Sequence, residues 1–256
     1  MKNNLTEKDI KNINKWAEKY DIKELKINDK EKIFNLKQLC IFNTNIKYIT
    51  AAIFKITNLK SLSIYCNNLK RLPKEIGNLY NLKKLEINSD DLEELPSEIG
   101  NLINLEMFEI SNREKLKEFP KEIGSLTKLK EFTIRCWNLK NLPKEIGNLA
   151  NLKTLDIGSA NLNKLPKEIG NLIKLEKLKL SIDYLKNIPK EIGNLTKLKE
   201  LDINCVSLKE IPKEIGNLNN LKSFSLIWRK NINKLPKEIL NLNKLKDIQI
   251  YHYFDR

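Results

Sequence analysis

Residues 142–149 read Leu-Pro-Lys-Glu-Ile-Gly-Asn-Leu, and the same eight residues recur at 72–79 and 165–172. Near-copies of this segment contain all of the chain's prolines: Pro73, Pro96, Pro120, Pro143, Pro166, Pro189, Pro212 and Pro236. The interval between successive prolines is nearly constant, and seven of the eight glycines follow a proline by four residues. The eighth copy has Leu240 at the glycine position. This period predicts a stack of similar units.

A second pattern fills the interval between these segments. Residues 82–87 read Leu-x-x-Leu-x-Ile, and residues 152–157 repeat that spacing. Together the two patterns resemble the leucine-rich repeat family, in particular its 23-residue type with LPxEIGxLxxLxxL, familiar from bacterial and Ras-group-related intracellular proteins. The resemblance covers residues 22–256. It implies an α/β fold, a right-handed horseshoe-shaped solenoid with a parallel sheet on its concave face and short helical or 3-10 turns on its convex face.

Each coil has a simple physical plan. Leu85 and Ile87 point into the coil, and the residues that alternate with them point outward, as side chains do along a strand. Pro96 is expected to be the first residue of a helical turn, where its missing N–H costs nothing. Gly100 is expected to end that turn in a left-handed conformation. A lone coil buries too little to offset its conformational entropy, so the coils must stack.

The two ends of the chain differ from the repeated coils. Residues 1–21 are predicted to form an N-terminal capping helix, and residues 22–256 about ten coils, as a single domain overall. Thr6 followed by Asp9 is a weak N-cap signal. One helical face then collects the apolar residues Ile10, Ile13, Trp16, Ala17 and Tyr20. This face predicts a cap over the first coil, and the alternative is a helix that binds a partner.

Two further expectations concern the terminal coils. Residues 22–27 have apolar spacing that predicts a first strand with a shortened loop behind it. At the other end, residues 251–256 read Tyr-His-Tyr-Phe-Asp-Arg. These aromatic residues either cover the last coil, or the native chain continues or pairs there.

The family usually places an asparagine at the ninth position of LxxLxLxxNxL, where it bonds the neighbouring coil. Asn67 fits that position, whereas most coils here depart from it. Side chains one residue earlier continue the inward face and are expected to take part of that role: Asn43, Cys66, Ser89, Cys136, Ser159 and Cys205. Trp137 is thereby expected to point outward. Cys66, Cys136 and Cys205 stand three coils apart, roughly 14 Å, and Cys40 is at an outward strand position. This arrangement excludes most disulfides and predicts four free thiols in a reducing compartment.

Composition excludes several classes of function but does not identify one. The formal net charge is +14 and the pI about 9.4, but nearly all basic residues are lysine and no dense basic run exists. His252 is the only histidine, which excludes two-histidine metal motifs and removes the commonest general base. No metal site, cofactor or catalytic group is expected. The sequence has neither a long apolar run nor a secretory h-region, so a cytoplasmic location is expected.

Functional residues are expected on the concave sheet, because its outward side chains are not needed for packing. The predicted protein-binding residues are Phe42, Tyr65, Glu86, Glu109, Arg135, Trp137, Asp156, Lys179, Asp202 and Tyr251. The outward strand positions carry four basic and seven acidic residues, a net charge of −3 on a basic protein. This contrast favours a protein or peptide with a basic or mixed surface over nucleic acid.

The sequence therefore predicts a monomeric, non-catalytic scaffold that binds a protein or peptide on its concave sheet. One alternative is a secreted effector or surface protein that binds a host protein. Another is a weak binder of nucleic acid or an anionic surface through the basic convex side.

Overall fold

The computed structural model describes residues 5–228 and 235–252. Within them, ten parallel strands form one open sheet whose spatial order follows the chain. The strands are β1 Gln38–Phe42, β2 Ser61–Tyr65, β3 Lys84–Asn88, β4 Met107–Asn112, β5 Glu131–Cys136, β6 Thr154–Ser159, β7 Lys177–Ile182, β8 Glu200–Asn204, β9 Ser223–Trp228 and β10 Asp247–His252. This architecture confirms the predicted solenoid with its parallel sheet.

Short helical turns occupy the side opposite the sheet. A five-residue 3-10 turn lies between each pair of successive strands: Ala51–Lys55, Lys74–Asn78, Ser97–Asn101, Lys121–Ser125, Lys144–Asn148, Lys167–Asn171, Lys190–Asn194, Lys213–Asn217 and Lys237–Asn241. Before the first strand come helix α1 Glu7–Tyr20, a 3-10 turn Lys23–Leu25 and helix α2 Lys30–Phe34.

The core is a continuous column of inward strand residues. Leu85 pairs in register with Leu62 on one side and with Phe108 on the other, and all three are fully buried. The rings of Phe108 and Phe132 stack with centroids 5.2 Å apart, and Phe119 meets Phe132 edge-on at 5.8 Å. Because every coil covers its neighbours, burial is shared along the array.

Proline sits one residue earlier than predicted. Pro96 has φ −67° and ψ 147°, an extended conformation, and it precedes the turn Ser97–Asn101. Its carbonyl oxygen accepts a hydrogen bond from the Ile99 N–H at 3.0 Å. Proline is therefore the N-cap residue of the turn, where the φ that its ring imposes fits the extended backbone.

The expectation of a left-handed glycine is wrong. Within the described residues no glycine has a positive φ, and Gly100 lies inside its turn. A β-carbon on Gly100 would lie 2.6 Å from the carbonyl oxygen of Glu122 in the next coil. Glycine is needed there because successive turns stack too closely for any side chain.

Helix α1 covers the first coil, as the capping prediction requires. The Asp9 N–H donates to Thr6 Oγ1 at 3.1 Å and the Thr6 N–H donates to Asp9 Oδ2 at 2.8 Å, which forms a capping box. Asp9 also pairs with Lys55 at 2.8 Å, and Trp16 Nε1 donates to the Tyr48 carbonyl at 3.0 Å. The predicted apolar face is buried against the array.

The predicted strand over residues 22–27 is wrong, because Lys23–Leu25 form a 3-10 turn and the sheet begins at β1. Leu25 is nevertheless buried, so the apolar spacing reflected burial rather than strand geometry. The predicted cover by the C-terminal aromatic residues falls partly on 253–256, which lie outside the described residues.

The inward side chains after the strands link neighbouring coils, as predicted. Ser89 Oγ donates to the Leu69 carbonyl at 2.8 Å, and Cys66 Sγ contacts the Ile41 carbonyl at 3.7 Å. Asn112 was not predicted for this role, yet among the described inward residues it makes the largest set of hydrogen bonds. Its Nδ2 donates to the Ser89 carbonyl at 2.6 Å and its Oδ1 accepts from the Leu116 N–H at 2.8 Å.

Candidate functional site

The candidate site is the concave face, defined as the outward side chains of β1 to β10. Burial alternates along these strands up to β9, with inward residues buried and outward residues partly or fully exposed, whereas in β10 the inward Ile248 and Ile250 are themselves exposed. The outward charges are Lys84, Arg135, Lys177 and Lys179 against Glu86, Glu109, Glu131, Asp156, Glu200, Asp202 and Asp247. The backbone holds these groups in a regular array on a rigid sheet, which suits recognition.

Three predicted residues meet at the N-terminal end of this face. The ring centroids of Phe42 and Tyr65 lie 6.3 Å apart, and Phe42 is 73% exposed. Glu86 Oε2 accepts hydrogen bonds from Ser63 Oγ at 2.6 Å and from the Tyr65 hydroxyl at 3.0 Å. Lys84 Nζ lies 2.8 Å from Glu86 Oε1.

These contacts determine what Glu86 can do. Partial burial opposes its ionisation, but the bonds from Lys84, Ser63 and Tyr65 still hold the pKa of Glu86 below its ordinary value. The carboxylate is thus charged and already bonded to its neighbours. Phe42 is the group at this end that offers open apolar surface to a partner.

A second group of predicted residues forms the central cluster, defined as Glu109, Arg135, Trp137, Asp156, Lys179 and Asp202. Arg135 lies between two carboxylates, 3.6 Å from Glu109 on β4 and 3.5 Å from Asp156 on β6. Lys179 on β7 lies 3.6 Å from Asp202 on β8. Five successive strands therefore carry an alternating row of charges.

Trp137 follows β5 and points outward as predicted, with 59% of its surface exposed. It borders an open cavity of about 340 Å³ whose floor is Gly158 on β6. Gly158 is an outward residue of β6 and is not among the predicted binding residues. The sequence itself distinguishes Gly158, because it is the one glycine outside the repeated segment.

Tyr251 stands apart from both groups. It lies on β10, paired with Ile227 of β9, and is 50% exposed. The structure thus separates the predicted site into an N-terminal group, a central cluster and one remote aromatic residue.

The four cysteines are free thiols, as predicted. Cys40 is exposed at an outward position of β1, whereas Cys66, Cys136 and Cys205 are buried. Burial raises the pKa of Cys136 and of Cys205 to about 12, which leaves both thiols protonated and unreactive.

A basic band runs along the edge of the solenoid where the strands begin. We call it the lysine stripe; it contains Lys60, Lys83, Lys128, Lys130, Lys153, Lys174, Lys197, Lys199, Lys222, Lys244 and Lys246. Two acidic residues interrupt it, Glu106 and Glu176. Some of the ammonium groups bond the preceding coil, as Lys128 does to Asn104 Oδ1 at 2.7 Å. The excess positive charge of the protein is concentrated there rather than on the concave face.

In the part of the chain that the structure describes, no cluster of three or more histidine, cysteine, aspartate or glutamate side chains is arranged to hold a metal ion. No helix in those residues has the length and apolar character needed to cross a bilayer.

Comparison with known proteins gives a consistent result. The family described as leucine-rich repeat region matches residues 13–141 and 135–255. No curated protein matches the chain. A leucine-rich repeat protein of Leptospira interrogans is 32% identical over 88% of this chain, with a TM-score of 0.69. The chain spans 63% of the length of that protein.

More distant structures share the fold alone. The leucine-rich repeat domain of the type III effector XopL is 21% identical, with coverage of 96% of this chain and 90% of that domain and a TM-score of 0.66. An internalin of Listeria monocytogenes is 19% identical, with coverage of 82% and 66% and a TM-score of 0.55.

Proposed function

The chain belongs to the leucine-rich repeat family, and from that premise we propose that it is a non-catalytic scaffold that binds a protein or peptide on its concave face. The family's fold is a general protein-interaction scaffold. The finer proposal concerns the surface used, the residues in contact and the character of the partner. Four free cysteines support a reducing compartment as the place where it works.

One observation carries the proposal, namely the central cluster. Trp137 and Arg135 are residue types that dominate binding energy at protein interfaces, and both are more than half exposed. Arg135 lies on β5 and Trp137 directly follows that strand, and the core beneath is complete without either side chain. Contact with a partner would bury the exposed Trp137 side chain beside these charges, which is the arrangement typical of an interface anchor.

The net charge of the concave face indicates the partner. Seven acidic against four basic groups favour a surface that is basic or of mixed charge. The surplus of lysine elsewhere on the molecule repels the same partner from the other faces. Electrostatics therefore directs the encounter toward the sheet.

The test compares two variants with the same change in net charge. Glu131→Lys, Glu200→Lys and Asp202→Lys reverse three carboxylates of the concave face, on β5 and β8. Glu114→Lys, Glu118→Lys and Glu210→Lys reverse three exposed carboxylates outside the ten strands. We expect partners recovered by affinity capture and mass spectrometry at physiological salt to be lost only from the first variant.

The comparison of the two variants distinguishes direct contact on the concave face from an effect of the overall net charge. Equal loss from both variants indicates that the overall charge controls association, and equal retention indicates that the concave face is not used. Either result contradicts the proposal. Detection of the protein in culture supernatant would instead favour the alternative of a secreted effector, which stays a prediction.

The lysine stripe supports a second candidate function, the binding of an anionic polymer. Replacing Lys128, Lys174 and Lys244 by glutamine removes three charges that bond only asparagine side chains in neighbouring coils. We expect the wild type to bind heparin with a steep salt dependence and this variant to show a shallower one. Equal salt slopes for both proteins would exclude the stripe as a binding surface.

A further inference from the structure

Gly158 is a glycine that the fold does not require. Its φ is not positive, and a β-carbon placed on it would meet nothing closer than the Ile134 carbonyl oxygen at 3.7 Å. The glycines of the repeated segment are different, since a β-carbon on Gly147 would lie 2.5 Å from backbone of the next coil. Glycine inside a strand lowers stability, so its presence at 158 calls for another reason.

The presence of glycine at position 158 is explained by the open space that it leaves above the sheet. Neighbouring outward side chains surround a notch of about 340 Å³, which we call the Gly158 notch; its walls include Arg135, Trp137, Asp156, Lys179, Ser181 and Asp183. A glycine within a strand often marks the point where a ligand approaches the backbone closely. The notch lies near the middle of the ten-stranded sheet, where hot spots of an interface concentrate.

The charges around the notch select the occupant. Both cations of its wall already face carboxylates, since Arg135 lies near Glu109 and Asp156, and Lys179 lies near Asp202. Within the described residues the exposed carboxylate of Asp183 has no ion-pair or hydrogen-bond partner. The unbalanced charge at the notch is therefore negative.

Trp137 supplies a second element of recognition. Trp137 is 59% exposed, and both Trp137 and Asp183 line the notch. An aromatic face attracts a cation, and a planar guanidinium stacks on it better than an ammonium does. A carboxylate beside such a ring provides charge-assisted hydrogen bonds to the same group.

We propose that the Gly158 notch receives an arginine side chain of the protein partner, which stacks on Trp137 and pairs with Asp183. This proposal rests on the function proposed above and names one contact within it. The absence of a side chain at 158 is what lets the guanidinium reach the sheet.

The test uses three acetylated and amidated pentapeptides, Gly-Ser-X-Ser-Gly, in which X is arginine, glutamate or leucine. Each is titrated into the full chain labelled with nitrogen-15. We expect the arginine peptide alone to shift the Gly158 amide and the Trp137 indole N–H resonances, with a dissociation constant on the order of 1 mM. Equal or larger shifts with the glutamate or leucine peptide, or no shift with any of the three, would overturn the proposal.

Two variants test whether the arginine peptide binds in the Gly158 notch. Gly158→Leu fills the notch, and Asp183→Asn removes its unpaired charge without changing its shape. Each is expected to weaken binding of the arginine peptide by about tenfold or more. The matched control is Ser111→Leu, which adds the same side chain at the equivalent outward position of β4, since Ser111 and Gly158 both pair in register with Arg135. Equal weakening by the control, or none from Gly158→Leu, would overturn the proposal.

Two results distinguish this contact from the broader function. A captured partner that is lost from the Glu131, Glu200 and Asp202 variant but retained by Gly158→Leu refutes the notch and leaves concave binding intact. A partner retained by that charge variant refutes concave binding, whatever the peptides do. Gly158→Ala serves as a folding control, because its β-carbon enters open space.

Discussion

The position that a β-carbon on Gly147 would occupy lies 2.5 Å from the carbonyl oxygen of Glu168, in the following coil. The same relation recurs between the glycine of each repeated segment and the glutamate one coil later, for example Gly124 and Glu145. Real β-carbons do not approach backbone oxygen so closely, so the spacing of the turns depends on glycine. The contact, rather than a special backbone angle, explains the repeated glycine.

Gly147→Ala is therefore expected to destabilise the protein by about 2 kcal/mol, since a rigid backbone must move to admit the methyl group. Gly158→Ala is the matched control and is expected to raise stability by about 0.5 kcal/mol, because it restricts the unfolded chain without a clash. Urea unfolding followed by circular dichroism measures both. Similar effects at the two positions would contradict this account of the repeated glycine.

Asn112→Ala is expected to cost about 3 kcal/mol, because the buried amide satisfies carbonyl groups of Ser89 and Leu92 and two N–H groups of its own loop. All of these groups lose their partner in the variant. Ser89→Ala removes fewer bonds and is expected to cost about 1 kcal/mol. A smaller loss for Asn112→Ala than for Ser89→Ala in urea melts would refute the ranking.

Thiol reactivity is expected to be confined to one cysteine. Burial raises the pKa of the Cys66 thiol to about 11, and Cys136 and Cys205 are buried as well, whereas Cys40 is exposed. Iodoacetamide should modify Cys40 in the native protein and the other three only after unfolding, as peptide mass spectrometry will show. Native Cys40→Ser should take up no label. Rapid labelling of Cys205 in the folded protein would contradict the packing described.

Acid is expected to weaken one contact of the lysine stripe. Hydrogen bonds from Lys130 and Lys83, with their positive charges, lower the pKa of Glu106 to about 2. Because the unfolded value is about 4.3, the stabilising contribution is present above that pH and is lost as pH falls toward 2. Urea midpoints measured from neutral pH down to pH 2 should fall more steeply in the wild type than in Glu106→Gln. Parallel curves would contradict the assignment, and high salt should bring the two curves together.

Much of the fold followed from the period, because a short repeat with strand spacing has few ways to bury its leucines. Two predictions that were wrong, at Gly100 and at residues 22–27, failed for the same reason. A recurring glycine marks either a special backbone angle or a close approach, and the sequence does not distinguish these two roles at Gly100. The apolar spacing of residues 22–27 likewise fits a strand or a buried 3-10 turn.

The site was predicted less completely than the fold. Outward parity correctly placed Arg135 and Trp137 on the open surface, since alternation along a strand is strict. Asn112 lies 23 residues after Ser89 and pairs in register with Cys136, so the period of the repeat places it with the inward residues. It was missed although the extra residue of its coil comes after it and leaves that alignment intact. The sequence distinguishes Gly158 as the one glycine outside the repeated segment, but the side chains that surround it come from three coils and were not predicted to form a notch.

The identical octets at 142–149 and 165–172 give the gene a route to diversify. Unequal recombination between them deletes residues 142–164 in frame, and Gly124 then faces Glu168 in the same way that it faces Glu145 now. The packing of the core is unchanged by this deletion. On the sheet, Gly158 is lost and Arg135 then pairs with Ser181. A single in-frame deletion would thus change the outward side chains of the sheet and leave the contact between successive turns unchanged.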